Sequence, residues 1–309
     1  MKFLYKRTIG IAIALIIFFF IGRVIYNEWD KISGYNWSPQ LTWFFFSIIT
    51  LIIVYLMNAY GWILIIRMIN VKLGFTKGVS IFFISMFGRY IPGGIWSALS
   101  RIYLCRLEGI SDSRSGMSII MEQAYPVVSA CIVFAASLLF WSDTGAIIRF
   151  LPALVLLPMF IIFLHPRSFL WVVNPILSRL GRGTIKISLD WNSMLMLTGY
   201  YFLCWIISGT AFYFFICSFY PLDLYYIPIL SGIYAISFVA GYVTFLTPAG
   251  LGVREGALTV LLSFFIPTPI AIGVALLSRL WLIGVELTIL LIFLLNVETR
   301  KMMKTALGW

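Results

Sequence analysis

The sequence predicts an all-α polytopic integral membrane protein of seven or eight crossing helices. It adds one or two broken or re-entrant helices and an internal repeat. Three observations lead there. The 309 residues are 62% hydrophobic and only 11% charged, against about 25% charged in soluble domains, and the mean hydropathy is +1.02. The apolar residues gather in runs of the length a bilayer core requires, about 20 residues each. Tryptophan and tyrosine mark many run ends (Trp37, Trp43, Trp141, Trp191, Tyr220, Tyr225 and Tyr226), as in the aromatic belt at a lipid–water boundary.

The first run, Ile9–Tyr26, follows Lys2, Lys6 and Arg7. No small-x-small cleavage pattern follows it, so residues 1–26 read as an uncleaved signal-anchor helix. A first half, residues 41–140, holds the crossings Leu41–Ile66 and Met117–Phe140 and a broken helix at 79–105. Residues 146–219 form connecting helices (Ala146–Leu164 and Trp191–Phe219) around a loop at 165–190. A second half, 225–297, holds Tyr225–Leu246, a broken helix at 248–266, and Thr268–Val297; residues 298–309 are a tail.

The first break reads Gly88-Arg89-Tyr90-Ile91-Pro92-Gly93-Gly94, and the second Thr247-Pro248-Ala249-Gly250-Leu251-Gly252. Proline and paired glycine stop a helix. Backbone groups freed at membrane depth must be buried in protein or face a polar cavity. Pro92–Arg101 and Pro248–Gly256 resemble each other, and interrupted segments at matching places in two halves mark internally repeated transporters.

Charge sets the orientation. The formal net charge of +11 is scattered through short connections, so it argues for loops held on the cytoplasmic side and not for nucleic-acid binding. Arg67, Lys72 and Lys77, and then Arg167, Arg179, Arg182 and Lys186, are cytoplasmic on this rule, with the N-terminus. The first broken segment then enters and leaves on that side. Arg300, Lys301 and Lys304 would place the tail there too, which requires Leu251–Ile266, about 24 Å as a helix, to reach the far face.

Ionisable residues at membrane depth face a bundle interior or a cavity. They are Arg89, Arg101, Glu122, Arg254, Glu255, Arg279 and Glu286. Arg101 and Arg254 follow the two breaks. An arginine near a helix N-terminus repels the positive end of the macrodipole unless an anion lies between them. A phosphate fits that place: a guanidinium holds it in bidentate fashion and the freed N–H groups cradle it. The phosphate-binding candidates are Arg101, Arg254, Gly93, Gly94, Gly250 and Gly252. Glu122, Glu255 and Arg279 would set the charge balance. Glu122 and Gln123 read as opening the helix after the first break, with Glu122 a counter-ion or a proton carrier. The competing structural reading pairs Arg254, Glu255 and Glu122 with one another to lock the halves. Tyr55, Asn58 and Trp62 form a polar-aromatic stripe suited to interhelical hydrogen bonding. Cys105, Cys131, Cys204 and Cys217 lack metal-ligand spacing, and His165 stands alone, so no metal or cofactor is expected.

Tyr90-Ile91-Pro92-Gly93-Gly94-Ile95-Trp96 with Arg101, then Glu122-Gln123, then Pro248-Ala249-Gly250-Leu251-Gly252-Val253-Arg254-Glu255-Gly256, then Arg279, resemble the lysylphosphatidylglycerol synthase transmembrane region family, also called flippase-like. The resemblance runs from about residue 8 to 297. Many members carry Gly-x-x-Gly-Glu after the first proline, where this chain has Ile95-Trp96-Ser97-Ala98, closer to a branch associated with surface polysaccharide or glycolipid assembly. The resemblance implies translocation of an anionic lipid or a polyprenyl-phosphate-linked sugar across the cell membrane. It does not imply synthase chemistry, which in bifunctional members lies in a soluble domain after the membrane region. The chain is therefore expected not to be an enzyme. No nucleotide-binding G-x-x-x-x-G-K-[ST] is present, so motion is downhill or ion-driven. The alternative is a membrane scaffold for a glycosyltransferase or another envelope enzyme, docked at the basic 165–190 loop with its amphipathic Phe169–Val173 run.

Overall fold

The computed structural model describes Tyr26, residues 38–86, Gly88, residues 95–142, a few positions between 168 and 178, and residues 190–243 and 252–294. Among these residues the chain is helical, without strands. The elements in order are α1 (Leu41–Met68), α2 (Phe75–Met86), α3 (Trp96–Leu107), α4 (Asp112–Ser137), α5 (Trp191–Cys217), α6 (Tyr226–Val243), α7 (Val253–Leu262) and α8 (Thr268–Leu294). Four spans, Leu41–Met68, Asp112–Phe140, Trp191–Cys217 and Thr268–Phe293, are long and apolar enough to cross a membrane. The signal anchor, the Ala146–Leu164 crossing and most of the 165–190 loop fall outside the described residues.

The helices are apolar on every face, which distinguishes lipid from water as their solvent. On α1, Leu51, Val54, Ala59, Trp62, Ile63 and Ile66 are buried, while Phe45, Phe46, Ile49, Ile53 and Leu56 are exposed. In water that exposed stripe would be an aggregation surface. Against lipid tails it has no such penalty.

Long helices meet through small residues and aromatic rings. α1 and α5 run antiparallel along their whole length. The N–H of Gln40 donates to the Ser218 carbonyl at 2.7 Å, Trp43 stacks on Phe214 with centroids 5.6 Å apart, and Tyr200 Oη donates to Met57 O at 2.6 Å. Asp190 caps α5, accepting the Ser193 N–H at 3.2 Å. At the α5–α6 crossing Gly209 has no room: a Cβ there would lie 2.0 Å from Ser231 Oγ and 2.3 Å from Ser231 Cα. Gly232 of α6 meets Ser137 of α4 in the same way, at 2.0 Å. In lipid, where apolar burial drives little association, such close backbone approach is a main source of helix–helix attraction. The four cysteines are free and buried, as expected of small packing residues.

Two boundaries use left-handed residues. α1 closes at Asn70, φ 57°, with the N–H of Val71 reaching back to Ile66 O. α3 closes at Gly109, φ 77°, with the N–H of Ile110 reaching Cys105 O. Both are Schellman-type ends.

The first break separates α2 from α3, and the second precedes α7. α2 and α3 have 12 residues each, so each rises about 18 Å, against a bilayer core of about 30 Å. They fold into an antiparallel hairpin. Ser100 Oγ lies 3.5 Å from Ser85 O, and a Cβ on Gly88 would lie 2.5 Å from Ser97 N. One expectation is corrected here. Glu122 does not open a helix; it lies well inside α4, which begins at Asp112. The polar first turn, Asp112-Ser113-Arg114-Ser115, extends the helix beyond the apolar run that hydropathy detects.

The glycine seam yields a stability prediction. Gly209→Leu should cost about 2 kcal/mol or more by overpacking and lower the melting temperature in detergent. Gly199→Leu on the same helix, where a Cβ would meet nothing within 4 Å, should leave it unchanged.

Candidate functional site

Five arginine and glutamate side chains among the described residues are buried: Arg101, Arg254, Glu255, Arg279 and Glu286. Glu122, nearly as enclosed, completes two groups.

The first group centres on Arg101, in the second turn of α3. Its Nε donates to Ser85 Oγ of α2 at 2.8 Å, and its guanidinium pairs with the Glu122 carboxylate of α4. The cation also lies over two rings, with Cζ 5.0 Å from the Trp62 centroid and 4.7 Å from that of Phe82. Trp62 in turn donates through Nε1 to Ser118 Oγ at 3.2 Å. Four helices, α1 to α4, thus converge on one guanidinium. The arrangement suits the chemistry: a buried cation needs a carboxylate, hydrogen bonds and ring faces together to offset its lost hydration.

The second group lies where α7, α6 and α8 meet. α7 begins after Gly252, whose φ of 88° favours glycine; the Gly252 N–H donates to Glu255 Oε2 at 2.8 Å. That bond fixes the Glu255 carboxylate over the helix N-terminus, where a negative charge is favourable. Its other oxygen, Oε1, lies 3.7 Å from Arg279 Nη1 of α8. This is ion-pair range but too long for a hydrogen bond, and Oε1 is a buried acceptor without one. Arg254, one residue earlier, is 5% exposed. Its Cζ lies 5.2 Å from the Tyr234 ring centroid, its Nε has no hydrogen-bond partner, and among the described residues no carboxylate pairs with it. Glu286, two turns beyond Arg279 on α8, accepts a hydrogen bond from the Tyr55 hydroxyl of α1.

The two groups lie along one face of α6. Tyr242 is within reach of the Glu122 charge, and Tyr234 within reach of those of Arg254, Glu286 and Arg279. Eight residues of helix separate these tyrosines by about 12 Å. Tyr201 of α5, fully enclosed, also senses Glu122 and Arg101, and its hydroxyl has no hydrogen-bond partner.

Of the sequence-derived candidates, the structure brings Arg101 to Glu122, and Glu255 to Arg279. It does not pair Arg254 with Glu255 or Glu122, so the proposed lock among those three is absent. Gly252 stands at the start of α7; Gly93, Gly94 and Gly250 lie outside the described residues. Tyr55 and Trp62 make interhelical bonds as expected, while Asn58 turns back to Val54 O on its own helix at 3.0 Å. Sequence reading missed Ser85, Phe82 and Tyr234. Ordinary apolar or hydroxyl residues in apolar runs carry no one-dimensional mark of lying against a guanidinium.

The pairing makes a testable statement. Arg101→Met alone leaves a buried carboxylate and should cost about 3–5 kcal/mol, and Glu122→Met alone a similar amount. The double variant should recover much of that loss, read as a positive coupling in a double-mutant cycle of thermal unfolding.

The sequence profile of the lysylphosphatidylglycerol synthase TM region matches residues 7–292. No curated protein matches the chain. With nearly the whole chain covered, and membrane helices carrying paired arginines and glutamates at their centre, the protein belongs to the lysylphosphatidylglycerol synthase TM region family.

Proposed function

We propose that the protein is a membrane translocase that carries an anionic lipid, or a polyprenyl-phosphate-linked sugar, between leaflets during envelope or glycan assembly. One observation carries this reading. Arg254 is a buried guanidinium with an unpartnered N–H and no carboxylate of its own, at the start of a helix whose dipole adds further positive potential. A cation in that state, in a low-dielectric interior, is costly unless an anion completes it. A lipid phosphate supplies that anion while its tails remain in the bilayer.

On this reading the α2–α3 hairpin is re-entrant from the cytoplasmic side and the N-terminus is cytoplasmic, in the cell membrane. The branch associated with surface polysaccharide fits the Ile95-Trp96-Ser97-Ala98 sequence. On the same reading the protein forms and breaks no covalent bond. A scaffold for a glycosyltransferase makes no use of a buried guanidinium whose Nε–H donates to nothing.

The test is genetic and chemical together. Deleting the gene should cause one lipid-linked precursor to accumulate on the cytoplasmic leaflet, as mass spectrometry of lipids and surface glycans would show. Wild type should restore its export. Arg254→Ala, expressed to the same level, should lose about 2–5 kcal/mol of phosphate binding, roughly 30-fold or more in affinity, and fail to complement. Arg254→Lys should rescue in part, because an ammonium keeps the charge but not the two-pronged geometry. Full rescue by Arg254→Ala overturns the phosphate site and favours the scaffold.

A further inference from the structure

The charges around Arg254 point to a link between phosphate binding and a proton. The described groups that face this corner are Arg254 and Glu255 from α7, Arg279 and Glu286 from α8, Tyr234 from α6 and Tyr55 from α1 through Glu286. Two guanidiniums and two carboxylates balance. Residues 244–251, the segment leading into α7, contain no ionisable side chain. Among the described residues the corner is therefore neutral when empty. A phosphate monoanion entering at Arg254 would leave it one charge negative, in surroundings where an uncompensated charge costs about 2.5 kcal/mol or more.

The two carboxylates differ in how well they are held as anions. Glu286 accepts the Tyr55 hydroxyl. Glu255 has one oxygen on the Gly252 N–H at 2.8 Å, while the other, Oε1, is buried without a hydrogen bond and 3.7 Å from Arg279. Oε1 therefore has room for a proton, and Arg279 is its only close cation among the described residues. Once protonated, Oε1 becomes a donor, and Arg279 is released to share the anion with Arg254.

We propose that Glu255 takes up one proton from solution when a lipid-borne phosphate binds at Arg254, so that the corner stays neutral in both states. This rests on the phosphate reading of Arg254. The balance is simple: carboxylate plus proton gives carboxylic acid, and no other bond changes. The Gly252 N–H keeps its hold on Oε2 throughout. Proton uptake on loading and release on unloading would give the carrier a direct coupling to a proton gradient.

The experiment uses the full chain in detergent micelles and didecyl phosphate, a dialkyl phosphodiester whose single negative charge is fixed near neutral pH. Calorimetric titration in two buffers of different ionisation enthalpy counts protons per bound phosphodiester. Wild type should take up about one, and its Kd should rise roughly tenfold per pH unit over the linked range. Glu255→Gln should take up none and bind with an affinity that no longer changes with pH. Glu286→Asp, which keeps the charge balance, should retain the uptake, whereas Glu286→Gln, which leaves the empty corner one charge positive, should bind without it. Binding by wild type without proton uptake overturns the coupling while leaving the phosphate site standing. Uptake that persists in Glu255→Gln, or vanishes in Glu286→Asp, also overturns it. Should Glu255→Gln not fold, wild type and Glu286→Asp decide the matter alone. Failure of the probe to bind wild type, or equal binding by Arg254→Ala, overturns the phosphate reading and the coupling with it. Displacement of the probe by an equal concentration of inorganic phosphate assigns a free oxyanion and overturns the lipid-borne source.

Discussion

The constraint on which this architecture depends is the cost of charge in a medium that cannot solvate it. Arg101, Arg254, Arg279, Glu122, Glu255 and Glu286 all lie within or between membrane helices, and the fold has arranged its contacts around them. α1 to α4 each contribute a side chain to the Arg101 environment. The α2–α3 hairpin, with helices too short to span the core alone, is held in place by that convergence. Removing the charges would remove the reason for the hairpin to dock where it does. The association of apolar helices with one another is weakly specified, because lipid tails solvate leucine as well as a neighbouring helix does.

The two charged groups solve the same problem with opposite polarity. In the first, a short helix supplies the cation, Arg101, and the following long helix supplies the carboxylate, Glu122. In the second, the short helix supplies the carboxylate, Glu255, and the following long helix supplies the cation, Arg279. The first pair is close and reinforced by a serine and two rings. The second is at 3.7 Å, with an oxygen that makes no hydrogen bond. Arg254 is the additional charge of the second group, beside Tyr234 and, among the described residues, without an acid of its own. The asymmetry is physical: one end of the protein is internally complete, and the other holds its groups in reserve.

Much of this was legible in one dimension. The long spans follow from apolar length, and α1, α5 and α8 begin at the expected residue. The breaks follow from proline and glycine, and Arg101, Glu122, Arg254, Glu255 and Arg279 are conspicuous as charges in apolar surroundings. Their pairing was not legible. Helices that are apolar on all faces carry little periodic signal to say which side meets which neighbour, so the choice of Arg101 over Arg254 as partner for Glu122 depends on rotation and depth. The same reason hid Phe82, Ser85 and Tyr234. The start of α4 was misjudged because its first turn is polar and lies outside the apolar run. Gly93, Gly94 and Gly250 of the two breaks lie beyond the described residues, and the sequence reading of them stands by itself.

The close contacts of α6 have a mechanical consequence. Gly209 against Ser231, and Gly232 against Ser137, bring α5, α6 and α4 to backbone distance at one level. Helices in such contact have no side-chain cushion between them. They cannot slide past one another by a fraction of a turn without collision, whereas helices separated by long side chains can re-pack by changing rotamers. α4, α5 and α6 thus behave as a chassis. The short helices α2, α3 and α7, held to it mainly by ionic and aromatic contacts that can exchange partners, are the parts free to work against it.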